Sequence, residues 1–306
     1  MTRRGLVLFV LMSLIWGIPY LFIRIAVEQI TPATLVFGRT ALASLVLLPL
    51  ALARNEIRPV LPRWRWVVAF AAVEVGGPWI LLGNAEQHVT SSLAGLLVAG
   101  VPLVSTVIAV TTGGHDRVNR RGLAGLLVGL VGVAAIVGSN LGVSDGLAFV
   151  EMAFVVLGYA LGPAILARRL AGSPPVGVQS ISLSLCALVY APIAFVERPA
   201  VMPSGDVIAA VLILAVVCTA AAFVLFTFLI DEVGPVRATV VTYINPAVAT
   251  TLGILVLGES VTAAMVVGLV LVILGSVLAT RGGVTHTPAS VVELAGETKL
   301  EVGEVA

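Results

Sequence analysis

The sequence predicts an all-α integral membrane protein of about ten transmembrane helices, arranged as two inverted five-helix repeats. Three observations carry this expectation: the composition, a series of ten apolar runs, and an arginine distribution that alternates with them. Of 306 residues, 59% are hydrophobic and 11% charged, against roughly 25% charged in an ordinary soluble domain. A soluble core cannot absorb that excess. The 31 glycines suit lipid-embedded helices, whose backbones approach one another through small residues.

Crossing about 30 Å of hydrocarbon takes about 20 apolar residues at 1.5 Å each. The first run, roughly 5–26, follows Met1-Thr2-Arg3-Arg4. It is too long for a signal-peptide core and no small-residue cleavage site follows, so an uncleaved first helix is expected. Further runs lie at about 31–53, 66–86, 91–111 and 121–139, and then at 146–168, 176–196, 207–230, 236–257 and 261–280. The breaks are short and hold turn formers, among them Thr31-Pro32, Ser173-Pro174-Pro175, Pro203-Ser204-Gly205 and Gly234-Pro235.

Arginine sets the expected orientation, because short cytoplasmic loops are enriched in basic residues. With the N-terminus inside, the inner segments hold Arg3, Arg4, Arg54, Arg58, Arg63, Arg65, Arg117, Arg120, Arg121, Arg168, Arg169, Arg237, Arg281 and Lys299, 14 of the 17 basic residues. The outer loops hold Arg198, and Arg24 and Arg39 fall within spans. A multi-pass protein of the cytoplasmic membrane with both termini cytoplasmic is therefore expected.

Residues 81–103 and 225–247 share a pattern at an offset of 144, which aligns Ala94 with Ala238 and Pro102 with Pro246; Gly125 and Gly132 match Gly268 and Gly275 at 143. Two units follow, 5–140 and 146–281. An odd number of spans per unit forces the second to insert upside down. Such inverted repeats recur in secondary transporters, with the site near the midplane between the halves. The tail, 282–306, loses the apolar pattern and gains Glu293, Glu297, Glu301 and Glu304, so a disordered cytoplasmic tail is expected.

Several function classes are excluded. A net charge of +1 gives no basic face for nucleic acid. The only lysine, Lys299, lies in the tail, so no phosphate-binding loop of the Walker type exists. Cys186 and Cys218 sit in apolar runs and read as small buried hydrophobes. His88, His115 and His286 lie in loops or the tail. No metal site, no organic cofactor and no intramembrane hydrolase is expected. A channel remains the competing reading, as a pore lined by polar rings.

The residues LIWGIPY (14–20), FGRTALA (37–43), Pro102, Asn245-Pro246, LGES (257–260), Gly268 and Gly275 resemble the drug/metabolite transporter superfamily, and within it the EamA-like family. The resemblance spans about residues 5–281. It implies a ten-helix carrier with a central cavity and alternating access, exporting a small amino acid-like or drug-like metabolite. One departure is Gly114-His115 where the second repeat has Gly258-Glu259.

Charges inside spans are costly and mark functional positions by default. Arg39 lies eight residues from the outer end of the second run and Glu74 eight from the inner end of the third, each about 12 Å deep. Arg39 is expected to anchor an anionic group and Glu74 to take part in proton coupling; a structural ion pair between them is the competing expectation. Trp16, Tyr20, Trp79, Tyr159 and Tyr243 fall on helices that the family places around its cavity. Asn245 precedes Pro246, whose ring breaks the local ladder and frees a carbonyl. Arg24 and Glu151 are expected to be interfacial anchors, with Glu86, Asp231 and Glu232 solvated at helix ends. A polar, switchable pocket should lie where the repeats join.

Overall fold

In the computed structural model, which describes residues 2–111, 120–140, 146–233 and 238–281, every described element is a helix or turn. The first run is α1 (Arg3–Gly17) and α2 (Pro19–Val27), divided at Ile18 because Pro19 cannot donate into the preceding turn. Thr2 caps α1 by accepting from Gly5 N at 3.0 Å. α3 (Pro32–Ala53) starts at Thr31, whose hydroxyl accepts from Thr34 N, with proline at its first turn.

The third run is α4 (Trp64–Phe70), a π-helical segment Ala71–Gly76, and α5 (Gly77–Ala85). α6 (Ser91–Val98) is capped by Thr90 and broken at Ala99-Gly100 before α7 (Val101–Thr111). α8 (Arg120–Gly138), α9 (Gly146–Arg169) and α10 (Pro175–Val196) are continuous. α11 (Gly205–Leu212) runs through a second π-helical segment, Ile213–Ala221, into α12 (Ala222–Val233). A 3-10 turn, Thr239–Tyr243, leads to α13 (Asn245–Leu257), which ends at Gly258 in the left-handed conformation (φ 65°), and α14 (Ala263–Arg281) follows. The two π segments occupy matching places at the repeat offset, Glu74 facing Cys218 in that alignment.

By length and composition eight helical stretches can cross a membrane, Arg3–Val27, Pro32–Ala53, Leu61–Ala85, Ser91–Ile108, Arg120–Gly138, Gly146–Arg169, Pro175–Val196 and Gly205–Val233. Val241–Leu257 and Ala263–Leu278 are shorter apolar helices. Leu45, Leu130, Leu188, Phe195 and Leu255 stand exposed on the outside of the bundle, an apolar surface suited to hydrocarbon rather than water.

The packing is reciprocal. α3 lies against α10, α8 against α14, and α6 against α13, while α1–α2 pair with α11–α12 and α9 pairs with α4–α5. Between α8 and α14 the contact is backbone to backbone: a Cβ on Gly132 would meet Gly268 O at 2.7 Å and Val272 N at 2.8 Å, and one on Gly275 would collide with Gly125 and Gly129. Small residues of this kind give helices in lipid their closest approach.

The described turns gather at two ends. At the arginine-rich end Arg63 donates to Ala171 O (2.7 Å) and Ser173 Oγ (2.8 Å), Gly177 N donates to Glu56 Oε2 (3.0 Å), and Thr2 bonds Glu232. At the arginine-poor end Gln29 and Ser204 exchange two hydrogen bonds, of 3.0 and 2.8 Å. There too Arg24 donates to the backbone oxygen of Glu86, and Glu259 meets the start of α6. Gly114-His115, Arg117, Arg237, Lys299 and the tail expected to be disordered lie outside the described residues.

Candidate functional site

α3 delivers Arg39 into the interior at 7% exposure, against Trp79 of α5 (8%) and near Tyr20 of α2 (6%). The guanidinium carbon stands 3.6 Å from the Trp79 ring centroid, a cation–π stack. Its Nε donates to Thr219 Oγ1 at 2.9 Å. Thr219 in turn donates to Leu214 O at 2.7 Å, five residues back. That spacing is the widened turn of the π segment, whose carbonyl also accepts from a side chain. Tyr159 of α9 lies within electrostatic range of Arg39, Glu74 and Glu86, and interacts with the Trp79 indole. Tyr20 has Tyr159, Glu86 and Arg39 in its own surroundings.

Glu74 sits in the other π segment. It is half-buried as a residue, but its Oε2 is buried and has no hydrogen-bond partner. α9 comes against it through glycine: a Cβ on Gly162 would overlap the Glu74 carboxylate, and one on Gly158 would overlap Val73 O. The wide turns here are also closed by side chains, with Tyr190 Oη donating to Gly76 O at 3.0 Å and Cys186 Sγ to Ala71 O at 3.5 Å.

Tyr20, Arg39, Trp79 and Tyr159 are thus brought together, with Glu74 beside Tyr159. Arg39 and Glu74 do not form an ion pair; among the described residues the only carboxylate–guanidinium contact is Arg54–Glu56, at 4.0 Å. The remaining candidates stand apart. Trp16 packs edge-on against Phe223 (6.3 Å between centroids) and tilted against Phe226 (4.6 Å). The Asn245 amide, with its nitrogen toward the carbonyls, donates to Val241 O (2.8 Å) and Ser13 O (3.2 Å), tying the 3-10 turn to α1. Tyr243 ends that turn, half-buried.

Two hollows, of about 320 and 230 Å³, lie elsewhere: one on the apolar face of α9 at Phe149 to Leu157, the other between Phe37, Pro199, Pro203 and Val211.

Glu86 corrects a sequence expectation. It was to be solvated at a helix end, yet it is 0% exposed, and neither carboxyl oxygen has a hydrogen-bond partner. Burial first, and then the neighbouring Glu259, hold its carboxyl well above the usual carboxylate range, against the pull of Arg24 and Arg39. Glu259 itself caps α6, accepting from Ser91 N (2.8 Å), Ser92 N (2.9 Å) and Ser92 Oγ (2.5 Å). A carboxylate at a helix N-terminus is favoured by both the free N–H groups and the helix dipole.

Comparison with known proteins agrees with this architecture. The model of the EamA-like transporter family matches residues 3–138 and again 147–281. Over 278 residues the chain is 28% identical to the "Uncharacterized inner membrane transporter YedA" of Escherichia coli K12, and equally to its counterparts in strains O6:H1 and O157:H7, covering 88% of both chains. A crystal structure described only as "Crystal structure of protein" aligns over 92% of this chain and 98% of its own with a TM-score of 0.66 at 21% identity, a likeness of fold.

Proposed function

From the premise that the chain belongs to the EamA-like transporter family, we propose a secondary transporter that exports a small anionic or zwitterionic metabolite by alternating access. Ten crossings in two inverted five-helix repeats, about 5–140 and 146–281, build it. In support, the family model matches twice, the helix pairing is reciprocal, and the turns sort into an arginine-rich and an arginine-poor end. In the cytoplasmic membrane the arginine-rich end faces inward.

The observation that carries this reading is Arg39, a buried guanidinium held by Trp79 and Thr219 with no carboxylate in ion-pair contact. A buried cation without a counter-ion is costly unless something supplies the charge. A substrate carboxylate or similar anion does so, with Trp79, Tyr20 and Tyr159 as its walls. Glu74, whose Oε2 has no partner, couples the cycle to protons. Hydrogen bonds at both ends make the arrangement a closed state between the inward- and outward-open ones.

Purified protein in proteoliposomes tests this against a panel of amino acids, organic anions and cationic drugs. Saturable, gradient-dependent uptake is expected for an anionic or zwitterionic solute, and ohmic conductance would establish a channel instead. In the same assay Glu74→Gln should abolish proton-driven flux while leaving expression intact; unchanged flux across a pH gradient removes Glu74 from the mechanism.

A further inference from the structure

At the arginine-poor end, between α5, α6 and the turn after α13, four oxygen-bearing side chains converge. Glu86 and Ser91 are each 0% exposed, and both Glu86 carboxyl oxygens and Ser91 Oγ lack hydrogen-bond partners. Glu259 is fully engaged, by the two amides and one hydroxyl of Ser91 and Ser92. The two acids therefore have opposite surroundings. Glu259 has two backbone N–H groups of the helix start and the Ser92 hydroxyl aimed at it. Glu86 has no donor at all.

Five charged or titratable groups face Glu86 from four places: Arg24 and Tyr20 on α2, Arg39 on α3, Tyr159 on α9, and Glu259 after α13. Both arginines are committed elsewhere. Arg24 donates to the backbone oxygen of Glu86, and Arg39 is spent on Thr219 and Trp79. Their positive charge in the same space also opposes a metal cation. A proton is the ligand that suits: it removes the buried charge, ends the repulsion with Glu259, and gives Glu86 an O–H to donate.

We propose that Glu86 is a proton-binding site at the arginine-poor end, and that its proton sets how firmly Glu259 clasps the start of α6. With Glu86 protonated, Glu259 stays on Ser91 and Ser92 and the junction of α6 with α13 is shut. Loss of the proton places a negative charge beside Glu259, which loosens the clasp and opens that end. The site is separate from Glu74 and depends on no substrate.

The full chain, in vesicles of phosphatidylcholine and phosphatidylglycerol, is examined by infrared difference spectroscopy of the carboxyl stretch through a pH titration. A Glu74→Gln background leaves Glu86 as the buried acid. The expected result is a protonated-carboxyl band that persists above the ordinary glutamate value of about 4.3 and vanishes on adding Glu86→Gln. A band of unchanged midpoint in that double variant overturns the proposal. Glu259→Gln, which keeps Glu86, should lower the midpoint by about one unit; an unmoved midpoint there also overturns it, even if the Glu86 variant fails to fold. A midpoint that moves when potassium is exchanged for sodium assigns the site to a metal cation and overturns it too. Amide exchange at Ser91–Leu93, corrected for its chemical pH dependence, should rise several-fold as Glu86 deprotonates, and constant protection removes the clasp.

Discussion

At Arg39 the proposed anion site and a structural ion pair make different predictions. Were it half of a buried ion pair, removing it would strand its partner and cost about 3–5 kcal/mol. With Trp79 and Thr219 as its neighbours, Arg39→Met should instead fold nearly as well, and detergent-solubilised protein should unfold within a few degrees of the parent. Binding of the anionic substrate should be lost. Arg39→Lys keeps the charge but forfeits the flat stack and the Nε bond, so affinity should fall roughly tenfold, about 1.4 kcal/mol. Isothermal calorimetry measures both. Arg39 and Glu74 stood out in the sequence because ionisable groups are rare in spans, and helix rise set their expected depth. Their separation was not, since rise says nothing of which way a helix face turns. Glu86 was misread for a related reason: its neighbours include Arg24 and Glu259, residues far away in the chain that the fold brings to it.

Among the elements, glycine faces decide how near helices come. Gly275 lies on the backbone of Gly125 and Gly129, whereas nothing lies within 4 Å of a Cβ at Gly138. Gly275→Val should therefore force α8 and α14 apart and cost about 1–3 kcal/mol, seen as a lower unfolding temperature. Gly138→Ala should be neutral or slightly stabilising, by up to about 1 kcal/mol. Both glycine-bearing helices could be picked out as apolar helices from their composition and from the repeat offset. The π segments could not, because Ala71–Gly76 and Ile213–Ala221 look in sequence like any other apolar stretch. Their wide turns depend on side chains from elsewhere, Tyr190 and Cys186 in one case and Arg39 through Thr219 in the other.

At the scale of the molecule, both ends are tied, and transport by alternating access requires each tie to open in turn. Gln29 and Ser204 face one another at the arginine-poor end. Replacing both with cysteine and oxidising the pair should stop flux, and reduction should restore it. Cys186 and Cys218 are buried and should not interfere; flux that continues through a verified cross-link removes that tie from the gate. The reciprocal packing carries a further consequence. Since the most extensive helix contacts join the first half of the chain to the second, the two halves share one interior. Severing the chain between 140 and 146 should yield two fragments that are degraded when made singly yet accumulate when made in the same cell, each serving as the other's chaperone.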